Sequence, residues 1–191
     1  MAIDSGTGRI TAIGTLSEVK AAAPGVAVTD LGSTVLMPGF VEPHSHPLLS
    51  GMATQKPAYW VSPNVGVASW DDVLAIFAKA DKEHPVDQVL VFNGVDRLLQ
   101  QAPLPTRSVL DPIFPTRPVV VIDNSGHGIY FNSATVTLLG WSDGKPPADP
   151  VGGSFGRSAD GTSDGTAFES GALMQIAAAV LPKAIPHPLQ S

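Results

Sequence analysis

Val35-Leu36-Met37-Pro38-Gly39-Phe40-Val41-Glu42-Pro43-His44-Ser45-His46-Pro47 is an apolar run that ends in His-x-His. With Gly39 to His46 extended, side chains alternate between faces, so His44 and His46 point one way and Ser45 the other. Two imidazoles on one strand face can converge on a single ion, and neutral imidazole suits zinc and its first-row neighbours. Pro43 cannot donate to a sheet ladder, which places the pair where a strand runs out into a loop. Read alone, His-x-His is equally two polar residues on a turn.

The totals narrow the classes. The chain has 191 residues, 43% of them hydrophobic and only 15% charged, with 19 glycines and 18 prolines. That describes a loop-rich globular chain of one domain or a little more. A net charge of −6 argues against nucleic acid, which demands basic patches. There are no cysteines, so any metal must be held by His, carboxylate or a modified Lys. The N-terminus lacks a basic and then apolar leader, and the longest apolar-rich run, 171–181, is too short to span a bilayer. A cytoplasmic protein without a membrane partner is expected.

Along the chain, 9–14 alternates and reads as a short strand, Leu16 to Ala22 as a short helix, and 26–32 as another strand. Residues 47–67 read as a loop. Ser69-Trp70-Asp71-Asp72 resembles a capping box opening a helix from 71 to about 82, with an apolar stripe at Val73, Leu74, Ile76, Phe77 and Ala80. Residues 88–94 and 118–123 are nearly continuous apolar runs, as in strands buried on both faces. Asn132 or Ser133 caps a short helix ending near Leu139. A hairpin is expected around Ala159-Asp160-Gly161, and a last helix over 171–181 stopped by Pro182. Strands alternating with helices predict a parallel α/β sheet.

Pro38-Gly39-Phe40-Val41-Glu42-Pro43-His44-Ser45-His46 resembles the Pro-Gly-(Phe/Leu)-(Ile/Val)-(Asp/Glu)-x-His-x-His signature of the amidohydrolase superfamily. Further pieces resemble its family 3 branch, which includes N-substituted formamide deformylase-like and YtcJ-like metal-dependent hydrolases. They are Arg107 to Asp111, Pro118 to Val121, Gly126 to Ala134, Gly152 to Arg157, and Asp160-Gly161 leading to Gly165-Thr166-Ala167-Phe168-Glu169. The resemblance implies the N-terminal portion of a (β/α)8 TIM-like barrel over 37–191, preceded by part of a small β-sandwich over 1–36. It implies one or two divalent ions, zinc first among them, that activate water to cleave a carbon–nitrogen bond of a small-molecule amide or formamide. His44 and His46 would be metal ligands. Glu169 would be a bridging ligand, or else a solvated carboxylate opening the last helix. His127 would bind substrate, or else be a plain loop histidine. Asp123 and Glu42 would orient ligands.

The superfamily also uses two later histidines and a late Asp as general base. After His127 only His187 remains, in Ile185-Pro186-His187-Pro188. A complete barrel needs about 250 residues. The expectation is therefore the front part of a longer enzyme, inactive by itself, with a homo-oligomer left open for the full-length protein. Two competing readings stand beside it. One is a non-catalytic remnant that at most binds metal or a complementing chain. The other is a complete small α/β binding protein.

Overall fold

The computed structural model describes residues 1–45, 47, 51 and 53–184. It divides into two units, Met1–His44 and Ser45–Ser191.

In the first unit β1 (Ala2–Ile3) and β2 (Ile10–Ala12) pair antiparallel. Asp4 shapes the turn between them, accepting from the backbone N–H groups of Gly6 and Thr7, both at 2.8 Å. Helix α1 (Leu16–Ala22) opens on a capping box between Thr15 and Glu18. The strand expected over 26–32 does not form, because residues 23–44 contain neither helix nor strand. The strand expected over 39–44 does not form either. Pro38 and Pro43 remove donors at both ends of that stretch. No strand pairs with it among the described residues, and Phe40 and Val41 stand 93% and 85% exposed. Apolar, β-branched sequence permits a strand, but a hydrogen-bonded neighbour makes one.

The second unit carries a six-stranded sheet in the order β3-β4-β5-β6-β8-β7. Its elements are β3 (Tyr59–Trp60), α2 (Trp70–Glu83), β4 (Leu90–Val95), α3 (Arg107–Leu110), β5 (Val119–Asp123), β6 (Gly128–Phe131), α4 (Ser133–Leu138), β7 (Ser154–Arg157), β8 (Ser163–Phe168) and α5 (Glu169–Ala184). Strands β3, β4 and β5 run parallel, with Phe92 opposite Val121. The remaining pairs are antiparallel, so the sheet is mixed rather than parallel throughout as the sequence pattern suggested. The cause is a short connection. Residues 124–127 are too few for a crossover, and the chain turns back beside β5 as β6. The expected hairpin at 159–161 joins β7 to β8, with Gly161 in the left-handed region at φ 82°.

Period-two alternation divides the core between the two faces. Leu90, Phe92, Val119 and Val121 face α2, where Phe77 packs on Phe92 with ring centroids 4.2 Å apart. Val89, Val91 and Val120 face the other way, onto Val136 of α4 and Ile176 and Val180 of α5. The capping box predicted at Ser69 is present, Ser69 Oγ accepting from the Asp72 N–H at 3.2 Å. Helix α5 differs from expectation in running through Pro182 to Ala184. Its last turn keeps Val180 and Ala184 buried against the core, which offsets the hydrogen bond that Pro182 cannot make. No helix among the described residues is long and apolar enough to cross a membrane.

Candidate functional site

The carboxyl ends of β3, β4, β5 and β8 carry a connected set of hydrogen-bonded polar side chains. Strand β4 ends in a bulge at Gly94, whose φ is 97°. A Cβ there would lie 2.7 Å from the Ser62 Cβ, so only glycine lets β4 approach the segment after β3 so closely. Ser62, fully buried, donates to Asn124 Oδ1 at 3.0 Å. Asn124 donates from its backbone to Val95 O at 2.8 Å and from its amide to Asp96 Oδ2 at 3.4 Å. The other Asp96 oxygen accepts from the N–H groups of Leu98 and Leu99. Buried Gln100 closes this loop, accepting from the Asp96 N–H and donating to the carbonyls of Val61 and Val67.

Beside it, Asp123 ends β5. One carboxylate oxygen accepts from the backbone and hydroxyl of Ser125, the other from the Tyr130 hydroxyl at 3.2 Å. Ser125 Oγ accepts in turn from the His127 N–H at 3.2 Å. His127 reaches across to the end of β8. Its carbonyl accepts from the Glu169 N–H at 2.9 Å, and its Nδ1 lies 2.9 Å from Glu169 Oε2. Glu169 has φ 63°, a left-handed conformation uncommon for a residue with a side chain. Both side chains are largely exposed.

Burial, and then the Asp123 charge, push the Tyr130 phenol up to about 12. Tyr59 is also raised, by burial and by its hydrogen bond to Glu83. The folded state therefore favours the neutral phenols. The stability they confer is complete below the ordinary tyrosine range near 10 and is lost as pH rises through the folded value. An ultraviolet titration of the folded protein should show neither tyrosine ionising at an ordinary midpoint, with Tyr130 the later of the two. A full phenolate signal by pH 10.5 in folded protein would contradict this.

Of the residues singled out in the sequence, His127 and Glu169 are brought together. His44 lies in the first unit, where its backbone N–H donates to Glu42 Oε1 at 2.9 Å. His46 lies outside the described residues, as does His187. Among the described residues, which do not include His46, no three His, Asp or Glu side chains are placed to hold one metal ion. The ties of Ser62 and Asp96 to Asn124 were not foreseen. The Asn93-Gly94 pair inside the apolar run was the available signal for a bulge.

The model of the amidohydrolase family matches residues 27–187, most of the chain. The chain belongs to the amidohydrolase family. Among curated amidohydrolase relatives, N-substituted formamide deformylase of Arthrobacter pascens is 32% identical over 167 residues, 86% of this chain and 30% of that protein. YtcJ of Bacillus subtilis (strain 168) is 29% identical over 151 residues, 78% of this chain and 27% of that protein. The chain thus spans about a third of the length of the curated relatives it matches. Among solved structures, an uncharacterized metal-dependent hydrolase from Pyrococcus furiosus aligns with a TM-score of 0.48 and 22% identity, over 72% of this chain and 24% of that one.

Proposed function

We propose that this chain is part of a metal-dependent hydrolase that cleaves carbon–nitrogen bonds other than peptide bonds, of the amide or formamide type. One observation carries the reading. In a chain of the amidohydrolase family, the groups suited to acid–base and hydrogen-bonding work, Asp96, Asp123, His127 and Glu169, gather at the carboxyl ends of the strands. In barrel enzymes that is the end where chemistry is carried out. The parallel run β3-β4-β5, with α2 crossing between β3 and β4, supports the further reading of the second unit as part of a (β/α)8 barrel. The formamide deformylase relative supports the bond type. Within this proposal His44 and His46 are ligands of a divalent ion, zinc first, and His127 contacts a small-molecule substrate in a cytoplasmic enzyme.

The test uses the full-length protein that contains this chain. Wild type and His44→Ala/His46→Ala are compared for bound metal by mass spectrometry and for formate release from N-butylformamide. The wild type should carry metal and release formate, and the double variant should lose both while keeping its circular dichroism. Formate release that survives the double substitution, or a chelator, would overturn the metal assignment. A metal-loaded wild type that hydrolyses neither formamides nor other N-acyl compounds would favour the non-catalytic alternative.

A further inference from the structure

We propose that Glu169 is a positioning residue for His127: it holds the imidazole in the Nδ1–H tautomer and so turns an unprotonated Nε2 toward a ligand at the carboxyl end of the sheet. The identity of that ligand rests on the function proposed above, whereas the tautomer does not.

The argument begins with donor and acceptor chemistry. An ionised carboxylate only accepts hydrogen bonds. Glu169 Oε2 lies 2.9 Å from His127 Nδ1, so Nδ1 carries the hydrogen. In the neutral ring the other nitrogen is then an acceptor. Among the described residues nothing else bonds this ring, and the side chain is 70% exposed.

The backbone around the pair supports a dedicated contact. The Glu169 N–H donates to the His127 carbonyl at 2.9 Å, so the two residues are bonded through main chain and side chain together. Gly128 and Phe168 are opposite one another in the β6–β8 ladder, which sets this register. Glu169 adopts φ 63° immediately after β8. A carboxylate that merely opened α5 would gain from the helix dipole without a left-handed backbone or a bond to a residue 42 positions earlier. On the other side, Ser125 Oγ accepts the His127 N–H, and Asp123 fixes Ser125. The loop that carries the imidazole is thus tied at both ends. An acceptor presented this way recognises a hydrogen-bond donor, and the N–H of a secondary amide is the donor that the proposed substrate class provides.

The experiment reads the tautomer directly by imidazole nitrogen NMR on the full chain labelled at histidine, at a pH of about 8.5, above the range in which a free imidazole titrates. The His127 signal is assigned by its loss in His127→Gln. The wild type should show His127 mainly as the Nδ1–H form, the opposite of the preference of the free side chain. Glu169→Ala should return it to the Nε2–H form. Glu169→Gly gives the same reading in a backbone that tolerates positive φ, so a folding defect in the alanine variant cannot decide the outcome. Either an Nε2–H ring in the wild type, or an Nδ1–H population unchanged in Glu169→Gly, would overturn the assignment. Neither reading depends on turnover.

Discussion

Replacing Asn132 with alanine should lower the unfolding free energy by about 4 kcal/mol, the sum of a lost helix cap and of buried backbone groups left without partners. The fully buried Asn132 side chain satisfies five partners at once. Its oxygen accepts from the N–H groups of Val119 and Thr135 and from the Thr135 hydroxyl, at 2.9–3.1 Å. Its amide donates to the carbonyls of Phe114 and Arg117 at 2.8 and 2.7 Å. One residue therefore caps α4, anchors the start of β5 and closes the turn that leads into it. Alanine leaves the Phe114 and Arg117 carbonyls unpaired away from water, where each costs about 1–3 kcal/mol. Asn132→Asp should be at least as harmful, because a carboxylate oxygen would face those two carbonyls. The measurement is a urea transition: the midpoint should fall sharply with the slope unchanged. A loss below about 1 kcal/mol would mean that the carbonyls find other partners.

Arg117→Ala should cost a similar amount, about 4 kcal/mol, for the same class of reason. The Arg117 side chain is only 3% exposed and spends its donors on the C-terminal end of α2 and the turn after it. It donates to the carbonyls of Asp81, His84, Pro85 and Gln88, and its Nε meets Asp81 Oδ1 at 2.6 Å. Those carbonyls include ones that a helix end leaves without partners. The ion pair contributes the smaller part, since the Asp81 side chain is 47% exposed. Asp81→Asn should therefore cost under about 1 kcal/mol, and Arg117→Lys most of the alanine loss, because an ammonium cannot reach four diverging carbonyls. If Asp81→Asn proved as damaging as Arg117→Ala, the ion pair and not the carbonyl clasp would hold this corner.

Much of the second unit was legible from short-range pattern. The Ser69 capping box, the apolar stripe of α2, the two buried strands and the Gly161 hairpin depend on residues three or four apart, or on period-two alternation. The same pattern misread 26–32 and 39–44, whose apolar content is compatible with strands that the described residues do not supply with partners. Asn132 was legible as a cap, but not as the hub that joins β5 to α4. Arg117 gave no signal at all beyond standing before an apolar run.

By itself the sequence determined most of the local elements of the second unit, the parallel pairing of β4 with β5, and the amidohydrolase family, while β3 lay inside a stretch read as loop. These follow from propensity, periodicity and motif register, all of which act within a few residues or within one repeating unit. Only the tertiary structure decided that the sheet is mixed, that Glu169 meets His127, and that the polar groups after β4 and β5 are tied together through Asn124. Such contacts join residues far apart in the chain, and they exist only once every intervening strand has taken its register. The strand pairing that brings Gly128 opposite Phe168 puts the His127 imidazole within hydrogen-bonding distance of a carboxylate.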